Sequence, residues 1–191
     1  HDALPILQDI AAFDDELELD SVNAPVAWAS VGGTHVGRVR HVNEDSYLES
    51  PEKCLWAVAD GMGGHSRGDY ASKAVVTSFA SFTRQESLLQ NIEDLQSRLL
   101  QAHKRCRTAF RNKRVGTTVA ALFEFADHCF FLWAGDSRIY RLRDGVLKLM
   151  TQDHSLAQEK LARGEISEED VHNHPSANVL TRALGAHQNL R

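Results

Sequence analysis

The sequence predicts an α+β layered domain, and three observations carry that prediction. Strand-like segments fall into two groups, one before and one after a pair of helical segments, instead of alternating with helices one by one. The helical pair shows apolar residues recurring at threes and fours. The later strands are rich in aromatic and branched residues and enclose the tight-turn signal Asp144-Gly145.

The elements follow in order. Residues 1–25 carry Asp2, Asp9, Asp14, Asp15, Glu16, Glu18 and Asp20 with no Lys or Arg. They read as a flexible acidic tail, with one short helical turn around Ile6 to Phe13, ahead of a domain over 26–191. "AWASVGG" and "DSYLES" are expected strands. "CLWAVA" (Cys54–Ala59) is apolar throughout and is expected to be a strand covered on both faces. A helix is expected from near Ser66, a capping residue with Asp69 three positions on. Its apolar positions are Ala71, Ala74, Val75, Ser78, Phe79 and Phe82. A longer helix, Leu88 to Arg111, has the stripe Leu88, Ile92, Leu95, Leu99, Ala102, Cys106, Ala109. So regular a stripe also occurs in coiled coils, but a helix covering a sheet suits a segment this short. "GTTVAALFEF", "HCFFLWAG", "SRIYRLR" and "VLKLM" read as strands. Helical and loop segments follow from Ser155, with Gly164 and Pro175 as breakers.

Composition excludes several classes. The chain has 191 residues, enough for one domain with a real core. Its net charge of −5 gives no sign of binding nucleic acid or an anionic membrane. Cys54, Cys106 and Cys129 are far apart and form no CxxC pair, which argues against a disulfide framework or zinc site and for a reducing, cytoplasmic compartment. No apolar run approaches the ~20 residues of a membrane span, and the acidic first residues do not make a signal peptide.

The chemistry concentrates in carboxylates at strand ends. Asn43, Glu44 and Asp45 precede one strand, Asp60 closes another, and Asp136 lies in the "AGDSR" turn between two more. Each aspartate alone is more often a turn former or a solvated group. Gathered at one sheet edge, they would repel unless a cation sat among them, and hard oxygen ligands suit Mg²⁺ or Mn²⁺. Asp60 stands out because it ends an apolar strand and is followed by Gly61, Gly63 and Gly64, a sign that backbone approaches something closely. A glycine loop entering a helix can also cradle phosphate, but "DGMGGH" is neither GxGxxG nor a P-loop. Arg40, four residues before Glu44, is either a surface residue or a phosphate clamp. His65 and the Asp153-His154 pair are ambiguous, and Asp153 is a candidate cap for the helix after it.

"RHVNEDSY", "VADGMGGH", "GTTVAAL", "WAGDSRIYRLRDG", "LMTQDHS" and "NVLTRALGA" stand in this order. Together they resemble the metal-dependent protein serine/threonine phosphatases of type 2C, in their bacterial form, over about residues 27–187. The resemblance implies a four-layer α-β-β-α sandwich of two mainly antiparallel sheets, with two Mn²⁺ or Mg²⁺ ions at one sheet edge and a third in many bacterial members. It implies that Asp60 bridges two ions and that Gly61 offers its carbonyl to one. Glu44 and Asp45 would support the second ion, Asp136 would bind the third, and Arg40 would hold the substrate phosphate. It further implies a phosphoprotein substrate, opposition to a Ser/Thr kinase, and a substrate-selecting flap over about 155–178. Two departures stand against it. Met62 occupies the place of a histidine that protonates the leaving group in eukaryotic relatives. The family's later "SDG" and "DN" aspartates are missing, so the catalytic domain is expected to be incomplete at its C-terminal end. The competing expectations are a non-catalytic or truncated module that binds phosphoproteins or a regulatory partner and, more remotely, a nucleotide-binding glycine loop.

Overall fold

The structure, a computed structural model, describes residues 27–63, 67–110 and 115–186. Its class is α+β as expected. The elements are β1 (Asp45–Ser50), β2 (Leu55–Met62), α1 (Gly68–Ala80), α2 (Leu88–Ala109), β3 (Gly116–Thr117), β4 (Val119–Phe125), β5 (His128–Ala134), β6 (Tyr140–Arg143), β7 (Val146–Leu149) and α3 (Leu156–Ala162). Strands β1, β2, β4 and β5 form an antiparallel sheet in that order, with the short β3 also on β2, and β6 and β7 form a second, two-stranded antiparallel sheet. No helix among the described residues is long and apolar enough to cross a membrane.

Parity along β2 decides where the core lies. Leu55, Ala57 and Ala59 are buried at 0%, 4% and 2% exposure and join Val75, Phe79, Leu95, Val119, Ala121 and Phe123 in one apolar cluster. Alternate residues of a strand point to opposite faces, so Trp56, Val58 and Asp60 lie on the other face, where Val58 is 47% exposed. The expectation of a strand covered on both faces is therefore corrected. Among the described residues the helices cover one face only, and an unbroken apolar run hides that difference.

The α2 stripe is buried through Cys106, but Ala109, the last helical residue, is exposed. Arg111 lies outside the described residues. At the start of α2, the buried Asn91 accepts the Gln85 N–H at 2.7 Å and donates to the Gln85 and Ser87 carbonyls at 3.0 and 2.6 Å. That closes the turn between the helices without an unpaired polar group. The Asp144-Gly145 hairpin forms as expected, with φ of +51° and +76°, the left-handed pair that a two-residue turn of this kind requires.

Two more expectations are corrected here. Residues 27–36 form no strand. They are held by side chains: Trp28 packs on Trp56 at 5.0 Å and Ser30 donates to Glu49 at 2.8 Å. Asp153 does not cap α3. Ser155 does, accepting the Gln158 N–H at 3.2 Å, while Asp153 is engaged elsewhere. The cap expected at Ser66 and the turn at 6–13 lie outside the described residues.

Candidate active site

The register of β1 on β2 pairs Asp45 with Asp60. Directly opposed residues share a face with Cβ atoms ~4.5–5.5 Å apart, so two carboxylates meet at the end of the sheet's open face. Glu44, one residue earlier, accepts the Gly61 N–H through its carbonyl at 3.1 Å and the Gly68 N–H through its carboxylate at 3.2 Å. Gly68 is the first residue of α1, so Glu44 places an anion at a helix N-terminus.

The glycines answer to space. A Cβ on Gly61 would lie 2.1 Å from the Gly68 carbonyl oxygen, and one on Gly68 would lie 2.6 Å from Glu44 Oε1. Only two glycines let the strand end, the helix start and the Glu44 loop touch.

Asp136 arrives from the turn after β5. Gly135, at φ +108°, sits against Thr118, whose Cγ2 a Cβ would meet at 2.6 Å. The ring of His154 accepts the Gly135 N–H through Nδ1 at 3.2 Å, and the His154 N–H donates to the Gly135 carbonyl at 2.9 Å. The imidazole stacks on Trp133 at 5.8 Å. Burial, then the Arg182 charge, pushes its pKa down, which keeps Nδ1 available as an acceptor. Nearby, Arg138 grips both oxygens of Asp153 at 2.8 and 2.7 Å. Asp136, Arg138, Asp153, Ser155, His172 and Asn178 line a polar cavity of about 340 Å³.

The electrostatics mark Asp60 as the centre. Burial, then the charges of Asp45, Asp136 and Glu44, push its carboxyl up to about 6. The residue still reaches solvent, which screens part of this repulsion. The structure thus brings Asp45, Asp136 and Glu44 within reach of the Asp60 carboxyl. Among the described residues no three His, Cys, Asp or Glu side chains close on a single point as a metal-binding set, so the cluster is gathered but open. Its donors are all oxygen, and a cation would relieve the strain on Asp60; both properties fit Mg²⁺ or Mn²⁺. Arg40 is exposed on the loop before β1 and forms no ion pair among the described residues. Met62 is half-buried at the end of β2, and His65 lies outside the described residues.

Sequence reading missed the groups behind the carboxylates. Asp60 is held through its backbone. Its carbonyl accepts from Thr118 N–H at 2.8 Å and Thr117 Oγ1 at 3.0 Å, and its N–H donates to Thr118 Oγ1 at 3.0 Å. The one available signal was a pair of buried threonines following a glycine, which reads equally well as ordinary strand.

Comparison with known proteins adds the following. A family model described as protein phosphatase 2C matches residues 32–184. The "Serine/threonine phosphatase stp" of Listeria innocua is 36% identical over 163 residues, covering 80% of this chain and 65% of that protein. The "Serine/threonine protein phosphatase PstP" of Mycobacterium tuberculosis is 34% identical over 160 residues, covering 80% of this chain and 30% of that protein. Among solved structures, PppA, described as a key regulatory component of T6SS in Pseudomonas aeruginosa, has 43% identity and a TM-score of 0.73, covering 82% of this chain and 66% of that one. The PstP catalytic domain in complex with 2 manganese ions has 30% identity and a TM-score of 0.66, with coverage of 82% and 66%. The chain thus spans 65% of the length of the Listeria relative and 66% of the PppA chain. With the family model matched across the whole of both sheets, the chain belongs to the protein phosphatase 2C family.

Proposed function

We propose that this protein hydrolyses phosphoserine and phosphothreonine in proteins, with residues 26–191 belonging to its catalytic domain. The observation that carries the reading is the cross-strand pairing of Asp45 with Asp60, with Asp136 and Glu44 close enough to raise the Asp60 pKa. In this reading Asp60, the Gly61 carbonyl, Glu44 and Asp45 would hold two Mn²⁺ or Mg²⁺ ions, and Asp136 would hold a third. Divalent ions held there supply Lewis acidity and an activated water, which the hydrolysis of an otherwise inert phosphomonoester needs.

The chain's own groups do the rest. Arg40, free of ion pairs among the described residues, presents two parallel N–H donors to the phosphate and so fixes the ester before the carboxylates. No thiol is primed to act as a covalent nucleophile. Burial raises the pKa of Cys54, Cys106 and Cys129, to about 11 for Cys106, so all three are protonated at neutral pH. Met62 has no proton to give, so the leaving alkoxide must draw its proton from solvent or another group. The protein would act in the cytoplasm, opposing a Ser/Thr kinase.

One observation favours the second reading, a module that binds phosphoproteins without turnover: the carboxylates do not close on a single point among the described residues. An assay separates the two. Phosphate release from p-nitrophenyl phosphate and from a phosphothreonine peptide is expected with Mn²⁺, abolished by EDTA and lost in Asp60→Asn. Peptide binding without Mn²⁺-dependent release would establish the binding module. Full activity in EDTA would end the metal-dependent reading.

A further inference from the structure

Asp60 and Asp136 come from distant parts of the chain, and the structure joins them through two hydroxyls. Thr118 Oγ1 lies 2.6 Å from Ser137 Oγ and also accepts the Asp60 N–H at 3.0 Å. A hydroxyl has one proton and two lone pairs. Thr118 can therefore accept from Asp60 N–H and still bond Ser137, with either hydroxyl as the donor of that second bond. The chain of bonds runs from Asp60 N–H through Thr118 Oγ1 to Ser137 Oγ, on the residue next to Asp136. Thr118 is 1% exposed, so no solvent replaces a lost partner there, and an orphaned buried group is costly. Gly135, on the other side of Asp136, rests on the methyl of the same threonine. One side chain therefore touches the Asp136 turn on both sides while holding the Asp60 backbone.

We infer that Thr118 and Ser137 are positioning residues that couple the Asp136 turn to Asp60 and so set the spacing of the carboxylates. This rests on the reading of those carboxylates as ligands of divalent ions. The ordinary alternative is that the two hydroxyls only fasten β4 to the turn. A fastening would lower the melting temperature and leave the metal affinity of the folded protein unchanged. A positioning bridge moves the affinity itself, because groups that orient metal ligands typically contribute about 10- to 100-fold.

The test is calorimetric titration of Mn²⁺ into the full chain, without substrate, alongside circular dichroism to confirm folding. The parent is expected to bind Mn²⁺ and Asp60→Asn to lose most of that binding. Thr118→Val and Ser137→Ala are each expected to weaken it about 10-fold. The double variant should be no weaker than the worse single one, since both break one bridge. Thr118→Ser, which keeps the hydroxyl, should stay close to the parent. If Thr118→Val does not fold, Ser137→Ala and Thr118→Ser decide the matter between them. Unchanged Mn²⁺ affinity in folded Ser137→Ala, or losses that add in the double variant, overturns the bridge while leaving the metal reading intact. Equal binding by the parent and Asp60→Asn overturns the metal reading and this inference with it.

Discussion

The two faces of the five-stranded sheet are built from the same strands and do opposite work. Toward the helices, β2 presents Leu55, Ala57 and Ala59, all nearly inaccessible and packed against α1, α2 and Phe123. Toward the other side it presents Trp56, Val58 and Asp60, which grow more exposed and more polar toward the strand's end. One face holds the fold together. The other carries the opposed carboxylates of Asp45 and Asp60 at its end. A strand's period of two lets both demands sit in eight residues without competing for a position.

The largest expected effect breaks the helix-facing side. Phe123 is 0% exposed and meets Phe82 edge-on at 5.6 Å. Phe123→Ala should cost about 3–5 kcal/mol in urea unfolding, the scale for emptying a buried aromatic site. On the open face, Val58→Thr at 47% exposure should stay within about 0.5 kcal/mol. Comparable losses from the two would mean that something covers the open face in solution.

The next effect sharpens the open face's role. Arg40→Ala should raise KM chiefly, by about 1.5–3 kcal/mol in binding, the scale of a hydrogen bond to a charged group. Arg40→Lys should recover only part, because an ammonium lacks the planar fork. An unchanged KM in Arg40→Ala would make it a surface residue and move attention to Arg38. Smaller still, removal of the acidic segment 1–25 should leave turnover unchanged; a large loss would make that segment part of the domain.

The helix-facing side was largely legible in the sequence, and of the open face only the carboxylates stood out. The α2 stripe could be read because a 3.6-residue period survives in one dimension: Leu88, Ile92, Leu95, Leu99 and Ala102 are all buried. Asp144-Gly145 could be read because the left-handed φ values belong to the residues themselves. "CLWAVA" misled because Ala, Val and Trp are apolar on either face, so the run carried no parity signal. Asp153 misled because a local cap and a bidentate partner 15 residues away, Arg138, need the same side chain. The Thr118–Ser137 contact spans 19 positions and involves two residue types that are common everywhere. Asp60, Asp45, Asp136 and Glu44 stood out as candidates because carboxylates at strand ends that can converge on one sheet edge need a reason, and the structure brings the other three near Asp60.

The smallest effect tests whether the carboxylate face really opposes the fold. Asp60 has its pKa raised from 3.8 to about 6 in the folded protein, first by burial and then by Asp45, Asp136 and Glu44. Between those values the folded chain holds a proton that the unfolded chain has released. Stability then falls as pH rises through that window. This group alone should make the metal-free protein more stable at pH 5 than at pH 7, the reverse of a carboxylate held by a partner. Glu52, whose pKa is lowered chiefly by its Ser50 hydrogen bond, acts in that ordinary sense and loses its contribution on acidification. The two are separated by Asp60→Asn, which removes only the first. In EDTA, the melting temperature of Asp60→Asn minus that of the parent should be positive at pH 7 and shrink toward pH 5. Saturating Mn²⁺ should reverse the parent's own trend, because a cation binds the ionised carboxylate and stabilises the folded state more as protons leave. A difference that stays flat across this range in EDTA would show that solvent already screens the carboxylates from one another. The open face would then impose no cost on the fold that its cations need to offset.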